Sequence, residues 1–151
     1  MPADHTEGLL IRPAQPADAV ALGTLLGLAP AAIAPEEIEQ RLRAILREPD
    51  HALFVAEAET QLAGLVHGVA LPLLGGGWTA KVVTFGVAEL QARGSAAAGL
   101  LRVLEVWAQE RGCASVRLSQ EAATVGSAEF WHSLGYGERL SAITLGKTLP
   151  A

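Results

Sequence analysis

The sequence has little cysteine: Cys113 is its only one. That excludes an intramolecular disulfide and a cysteine-based zinc site, and no metal site is expected. Cys113 follows Gly112 and precedes an apolar stretch, so it reads as a small core residue. No base stands near it in sequence to make it a nucleophile. No apolar run is long enough to span a bilayer, although 50% of the residues are hydrophobic. The opening MPADHTEGLL carries acids and no long apolar core, so it is not read as a secretory signal. A cytoplasmic protein with no membrane partner is expected. Positive charge is also short: 11 Lys and Arg face 16 Asp and Glu, for a net charge of −5. That disfavours nucleic acid as a partner, since phosphates need a basic surface. It mildly favours a cationic acceptor such as an amine. Gly-x-Gly-x-x-Gly does not occur, and Gly146-Lys147-Thr148 has Ser141 where a P-loop needs its first glycine, which argues against dinucleotide and P-loop sites.

The 151 residues suit one domain with a real core, and no internal repeat or second boundary is found. Residues 1–8 are read as a flexible lead and residues 9–149 as the domain. Leu9 to Arg12 is a short strand stopped by Pro13. Pro16 and Asp18 start a helix whose apolar face is Val20, Leu22, Leu25 and Leu26. After a Pro- and Ala-rich break, Glu36 to Leu46 is a second helix, with acids leading and bases following. His51 to Glu57 is a strand, Glu59-Thr60 a hairpin tip, and Gln61 to Leu74 a longer strand holding His67. A lone histidine in a strand reads first as a partly buried structural residue. Gly64 and Gly68 mark expected bulges. Gly75-Gly76-Gly77 is a flexible connection that could move over a substrate.

The chain is organised around Thr79 to Trp107. Val82-Val83-Thr84-Phe85 suits a buried strand. From Gly94 onward, Leu100, Leu101, Leu104, Trp107 and Ala108 recur at helical spacing. Small residues at 94 to 98 leave the first helical turn open, so its free N–H groups and the helix dipole can receive an anion. Gln91 and Arg93 add a polar donor and a charge. This is a diphosphate seat on physical grounds. Further on, Gly112 suits a left-handed helix end, and Ser115 to Ser119 is a strand. Ala128, Trp131 and Leu134 share a helical face that Gly135 ends, and Ile143 to Leu149 reads as a last strand.

The 91–96 stretch resembles the acyl-CoA loop of the GNAT superfamily of N-acetyltransferases, whose signature is Arg or Gln, two residues, Gly, one residue, then Gly or Ala. Gln91, Gly94 and Ala96 fit it in register. Phe130-Trp131 and Leu134-Gly135-Tyr136 match the family's later Phe-Tyr and Leu-Gly-Phe. The resemblance implies an α/β (α+β) fold, a mixed twisted sheet of six to seven strands with helices on both faces. It also implies acetyl-CoA as co-substrate, an amine acceptor, and a homodimer among the expected states. Gln91 and the backbone of Ala92, Arg93, Gly94, Ser95, Ala96 and Ala97 would hold the diphosphate. Thr84, Phe85 and Gly86 would bind the pantetheine arm like an added strand. Thr124 and Trp131 occupy the family's Asn and Tyr positions.

The catalytic side departs from the family. Trp78 to Ala88 contains no carboxylate. Ala80 holds the position where the family keeps a Glu, and Lys81 is next to it. Ser119 holds an alternative base position. Glu121, two residues on, would share its strand face if the strand continued, which makes it the candidate base. An indole at 131 can donate a hydrogen bond but does not titrate as a Tyr would. Two readings stay open: an active N-acetyltransferase, and a non-catalytic acyl-CoA-binding module acting as a sensor or partner.

Overall fold

A computed structural model of the chain describes residues 4–6, 8–88, 93–137 and 145–151. Asp4–Thr6 form β1, which pairs antiparallel with β2, Leu9–Pro13. Part of the expected flexible lead is therefore a sheet edge. Pro13 ends β2, and a tight turn follows. There the Arg12 guanidinium donates to both oxygens of Asp18, at 2.8 and 2.9 Å, while Asp18 also accepts the Gln15 N–H at 2.7 Å. Burial pushes the Asp18 carboxyl up, but these donors outweigh it and hold it below its ordinary value. The turn feeds α1, Ala19–Leu25.

α2 is Pro35–Arg47, with proline in its first turn, Glu36 and Glu37 beside it, and Arg47 in the last turn. That order complements the helix dipole. Next come β3, His51–Ala58, and β4, Gln61–Leu73, joined at Glu59-Thr60 as expected. β5 is Gly77–Val87, and Leu74, Gly75 and Gly76 form the tip of the β4–β5 hairpin, with Gly77 already paired to Leu73. α3, Arg93–Glu110, ends at Gly112, whose φ of 79° is the left-handed conformation the sequence called for. β6 is Ser115–Leu118, α4 is Gln120–Ala123 and α5 is Ala128–Ser133.

The strands lie in the order β1-β2-β3-β4-β5-β6, all antiparallel except the parallel β5–β6 pair. Helices cover both faces. Phe54, Val66, Val82 and Phe85 pack with Ala96, Ala97, Leu100, Leu101 and Leu104 of α3 on one side. Leu53, Val55 and Leu65 pack with Leu22 and Leu42 of α1 and α2 on the other. Alternate residues of the same strands thus serve two cores.

The strand count differs from the expected six to seven. Among the described residues the sheet has five strands of four residues or more, and β1 adds three residues at its edge. Leu145–Leu149, expected as part of a last strand, have no strand conformation; Ile143 and Thr144 lie outside the described residues. Polar and glycine residues at 146–148 give that segment little apolar alternation to bury, and Leu145 and Leu149 are exposed. Among the described residues no helix is long and apolar enough to cross a membrane.

Register shifts do fall beside Gly64 and Gly68. Both glycines are also places of close approach. A Cβ on Gly68 would meet the Leu104 side chain at 2.6 Å, and one on Gly64 would meet the Gly86 carbonyl and Leu100, each at 2.9 Å. The Gly64 contact is to backbone and cannot rotate away. Gly64→Val should therefore destabilise the fold by about 2 kcal/mol or more through overpacking. Urea unfolding checks this, and an unchanged midpoint would show that β5 shifts freely.

Candidate active site

β5 has two strand neighbours over its first half and one over its second. Its parallel pairing with β6 runs from Thr79↔Ser115 to Val82↔Leu118 and stops. Its antiparallel pairing with β4 continues to Val87. Among the described strands, Val83 to Val87 therefore have one open edge.

Two local features cause the opening. The β4–β5 register passes from Gly68↔Val82 to His67↔Thr84, so Val83 is an extra residue, a bulge that bends β5. The chain also leaves β6 at Ser119. Its N–H donates to the Val82 carbonyl at 2.9 Å, while its hydroxyl accepts the Ala122 N–H at 3.1 Å and caps α4. Past the bulge, the Ala88 N–H donates to Ala63 on β4 at 2.7 Å. Backbone groups alternate along a strand, so those of Phe85 and Val87 face the open edge.

The open strand leads toward the start of α3. Arg93, Gly94 and Ser95 form that helix's first turn, whose N–H groups have no intrahelical acceptor. Ala96 and Ala97 are fully buried against the sheet. The Ala97 N–H lies a full turn in and is committed to the helix ladder, which removes it from the expected donors. Gln91 and Ala92 lie outside the described residues.

On the α1 face of the open strand, a Cβ on Gly86 would stand 3.7 Å from Leu26. Thr84 is half-buried opposite His67. His67 is buried and stacks on His51, with Nε2 of His67 3.0 Å from Nδ1 of His51. One ring therefore donates and the other accepts. Burial, with the His51 charge second, lowers the His67 pKa to about 4. The sequence treated His67 alone. Its partner comes from the neighbouring strand, which only the β3–β4 register reveals.

The expected catalytic positions separate. β6 ends at Leu118, so Glu121 does not share a strand face with Ser119; it lies exposed in the first turn of α4. The Thr124 hydroxyl donates to the Glu121 carbonyl at 2.7 Å, closing that short helix. Trp131 is a core residue. It packs on Phe85, Phe130 and Tyr136 with ring centroids 5.5, 5.1 and 5.7 Å away, and its indole N–H donates to the Ala123 carbonyl at 2.8 Å. Both groups expected at the cofactor thus have backbone partners within the chain. Ala80 is fully buried, so a carboxylate there would face the core, whereas its neighbour Lys81 is exposed. Cys113 is half-buried rather than core. It lines a separate cleft of about 510 Å³ with Glu105, Ser115 and Tyr136, at the end of β6 away from the open edge.

These features define a mixed α/β fold in which one central strand pair opens ahead of a helix start made of small residues. The chain belongs to the Acetyltransferase (GNAT) family, whose model matches residues 21–136. No curated protein matches the chain in sequence. Solved structures agree with the fold at low identity. A transcriptional regulator from Bacillus halodurans C-125 superposes with a TM-score of 0.77 at 16% identity, covering 92% of this chain and 99% of that one. Glucosamine-6-phosphate N-acetyltransferase from Arabidopsis thaliana gives 0.75 at 20% identity, covering 95% and 100%. An aminoglycoside N-acetyltransferase in complex with CoA gives 0.77 at 15% identity, covering 99% and 98%.

The buried His67 makes stability depend on pH. Its folded pKa of about 4 lies below the ordinary 6.5, so the unfolded chain binds the proton more readily. Stability from this group is complete above pH 6.5 and falls as pH drops from 6.5 toward 4. The loss should be about 2 kcal/mol after discounting for partial solvent screening. Urea unfolding at a series of pH values tests it. His67→Leu should flatten the profile in that window, and a parent profile already flat there would refute the assignment.

Proposed function

We propose that the protein transfers an acetyl group from acetyl-CoA directly to a primary amine of a small molecule or peptide. The observation that carries this reading is the open edge of β5 at Phe85 and Val87, continuing toward the first turn of α3. An extended pantetheine arm can pair with that edge as a strand would. The amides of Arg93, Gly94 and Ser95, with Gln91, Ala92 and Ala96 beside them, form the diphosphate seat. Thr84 and Gly86 flank the arm on the α1 side. Bound acetyl-CoA supplies the thioester that the amine attacks, and no covalent enzyme intermediate is needed.

The chain's own work is then positioning and charge stabilisation. A backbone N–H on the open edge, that of Phe85, polarises the acyl oxygen as charge develops there. Holding the amine against that edge makes the attack effectively intramolecular. The amine must lose a proton, and Glu121 is the carboxylate next to the end of β6. Because Glu121 is exposed, it acts through water. Trp131 has no titrating proton, so the departing thiolate takes its proton from solvent. Thr124 and Trp131 support the α4–α5 wall of the cleft through their backbone partners.

Calorimetric titration with acetyl-CoA, followed by a free-thiol assay against a panel of amines, tests the reading. Binding with amine-dependent thiol release is expected. Binding with no release from any amine would favour the non-catalytic acyl-CoA-binding alternative. Gly94→Glu, which places a side chain and a negative charge in the diphosphate seat, should weaken acetyl-CoA at least about tenfold at an unchanged melting temperature. Unchanged affinity would remove the loop assignment. Glu121→Gln should lower kcat about a hundredfold and shift its pH profile. A parental profile would exclude Glu121 as base.

A further inference from the structure

The α1 face of the sheet carries a row of residues set by three consecutive registers: His51↔Val69, Val69↔Lys81 and Lys81↔Arg117. Lys81 and Arg117 are direct neighbours across the parallel β5–β6 pair, so both side chains leave the sheet on the same face. Both are exposed. Like charges placed opposite one another in a sheet repel and destabilise it. Neither cation has a carboxylate partner among the described residues, although acids outnumber bases, 16 to 11, in the chain. Four arginines elsewhere are matched: Arg12 with Asp18 and Glu57, Arg41 with Glu37, Arg43 with Glu39, and Arg111 with Asp50. The unmatched pair stands immediately before the point where β5 and β6 separate.

We propose that Lys81 and Arg117 recognise an anionic group, a carboxylate or a phosphate, on the amine that receives the acetyl group. This deepens the acetyl-transfer reading and rests on it for the identity of the bound molecule as acceptor. Lys81 lies four residues before Phe85, about 13 Å along the strand. Long side chains that lean along their strands shorten that gap to the length of a small metabolite. Lys81 lies about 20 Å back along β5 from Val87, the end that leads to α3, so the patch's anion is not the cofactor's diphosphate. An anion held between an ammonium and a guanidinium relieves their repulsion, and the guanidinium can offer two parallel donors. The amine at the other end of the acceptor would then be fixed against the open edge by a contact remote from the reacting atoms.

The test compares matched probes that differ only in the anion, with CoA present so that binding is read without turnover. Glucosamine 6-phosphate against glucosamine examines phosphate, and leucine against leucinamide examines carboxylate. Calorimetry on the full chain should show at least one anionic probe binding about tenfold more tightly than its neutral counterpart, and less so in high salt. The arm that shows the preference identifies the anion. Lys81→Ala/Arg117→Ala should abolish the preference while leaving affinity for acetyl-CoA and for the neutral probes unchanged. Since it removes a repulsion from an exposed face, this variant should fold at least as stably as the parent. Arg117→Glu, which would give Lys81 a partner within the sheet, should abolish the preference as well. No preference in the parent chain, or one that survives the double substitution, overturns the proposal. Anion preference without thiol release from any amine would leave the binding assignment standing and remove acetyl transfer.

Discussion

The site depends on one residue of slack in β5. If Val83 were absent, β5 could run in register with β4 on one side and β6 on the other to the end of the sheet. No main-chain groups would then face a ligand. The bulge bends β5 where β6 turns away at Ser119, and the two events are tied together because Ser119 bonds Val82 while capping α4. A fully paired sheet would satisfy more backbone groups internally. The open edge is therefore a local loss of pairing held in place by the better-paired strands on both sides of it.

That loss is tolerable because the rest of the sheet is tightly seated. Gly64 and Gly68 let α3 approach β4 more closely than any side chain would allow, with Leu100 and Leu104 filling the space where their Cβ atoms would be. Phe85, on the open strand itself, is anchored on the same side by Trp131. The strand whose backbone faces outward thus has its side chain fixed inward. Its edge can accept a partner without itself being loose, which is the preorganisation that positioning chemistry needs.

Much of the fold was legible in the sequence because it follows from local signals. The β-branched run before Gly94, the leucines at helical spacing, the Glu59-Thr60 tip and the Gly112 stop each have a short-range physical cause. What the sequence could not give was register. Ser119 looked like part of a continuing strand, yet a serine before Gln-Glu-Ala is also a helix cap, and here the cap prevailed. That single choice moved Glu121 off the strand face. Trp131 was aligned with a titrating tyrosine, but its position on α5 turns it into the core, where its N–H takes a backbone carbonyl. The C-terminal segment carries too little alternation for its pairing to be read from composition alone. The His51–His67 and Lys81–Arg117 pairs are invisible in sequence order, because each joins residues from different strands.

The two pairs also make the overall charge of −5 a poor guide to the local field on this face. Net charge acts over distances at which salt screens it, roughly 8–10 Å at physiological ionic strength. A cleft is governed by the groups within that range, and on this sheet face the strand registers set two imidazoles, an ammonium and a guanidinium. The acids that make the chain negative are concentrated elsewhere, on α2 and at the ion pairs that close the β2–α1 turn and the start of β3. A diffusing amine without an anionic group would meet a local field opposite in sign to the one the composition implies. An acceptor that carries its own negative charge resolves the conflict, since the same patch that repels an ammonium attracts the other end of the molecule and orients it. The field then selects for direction as well as for binding.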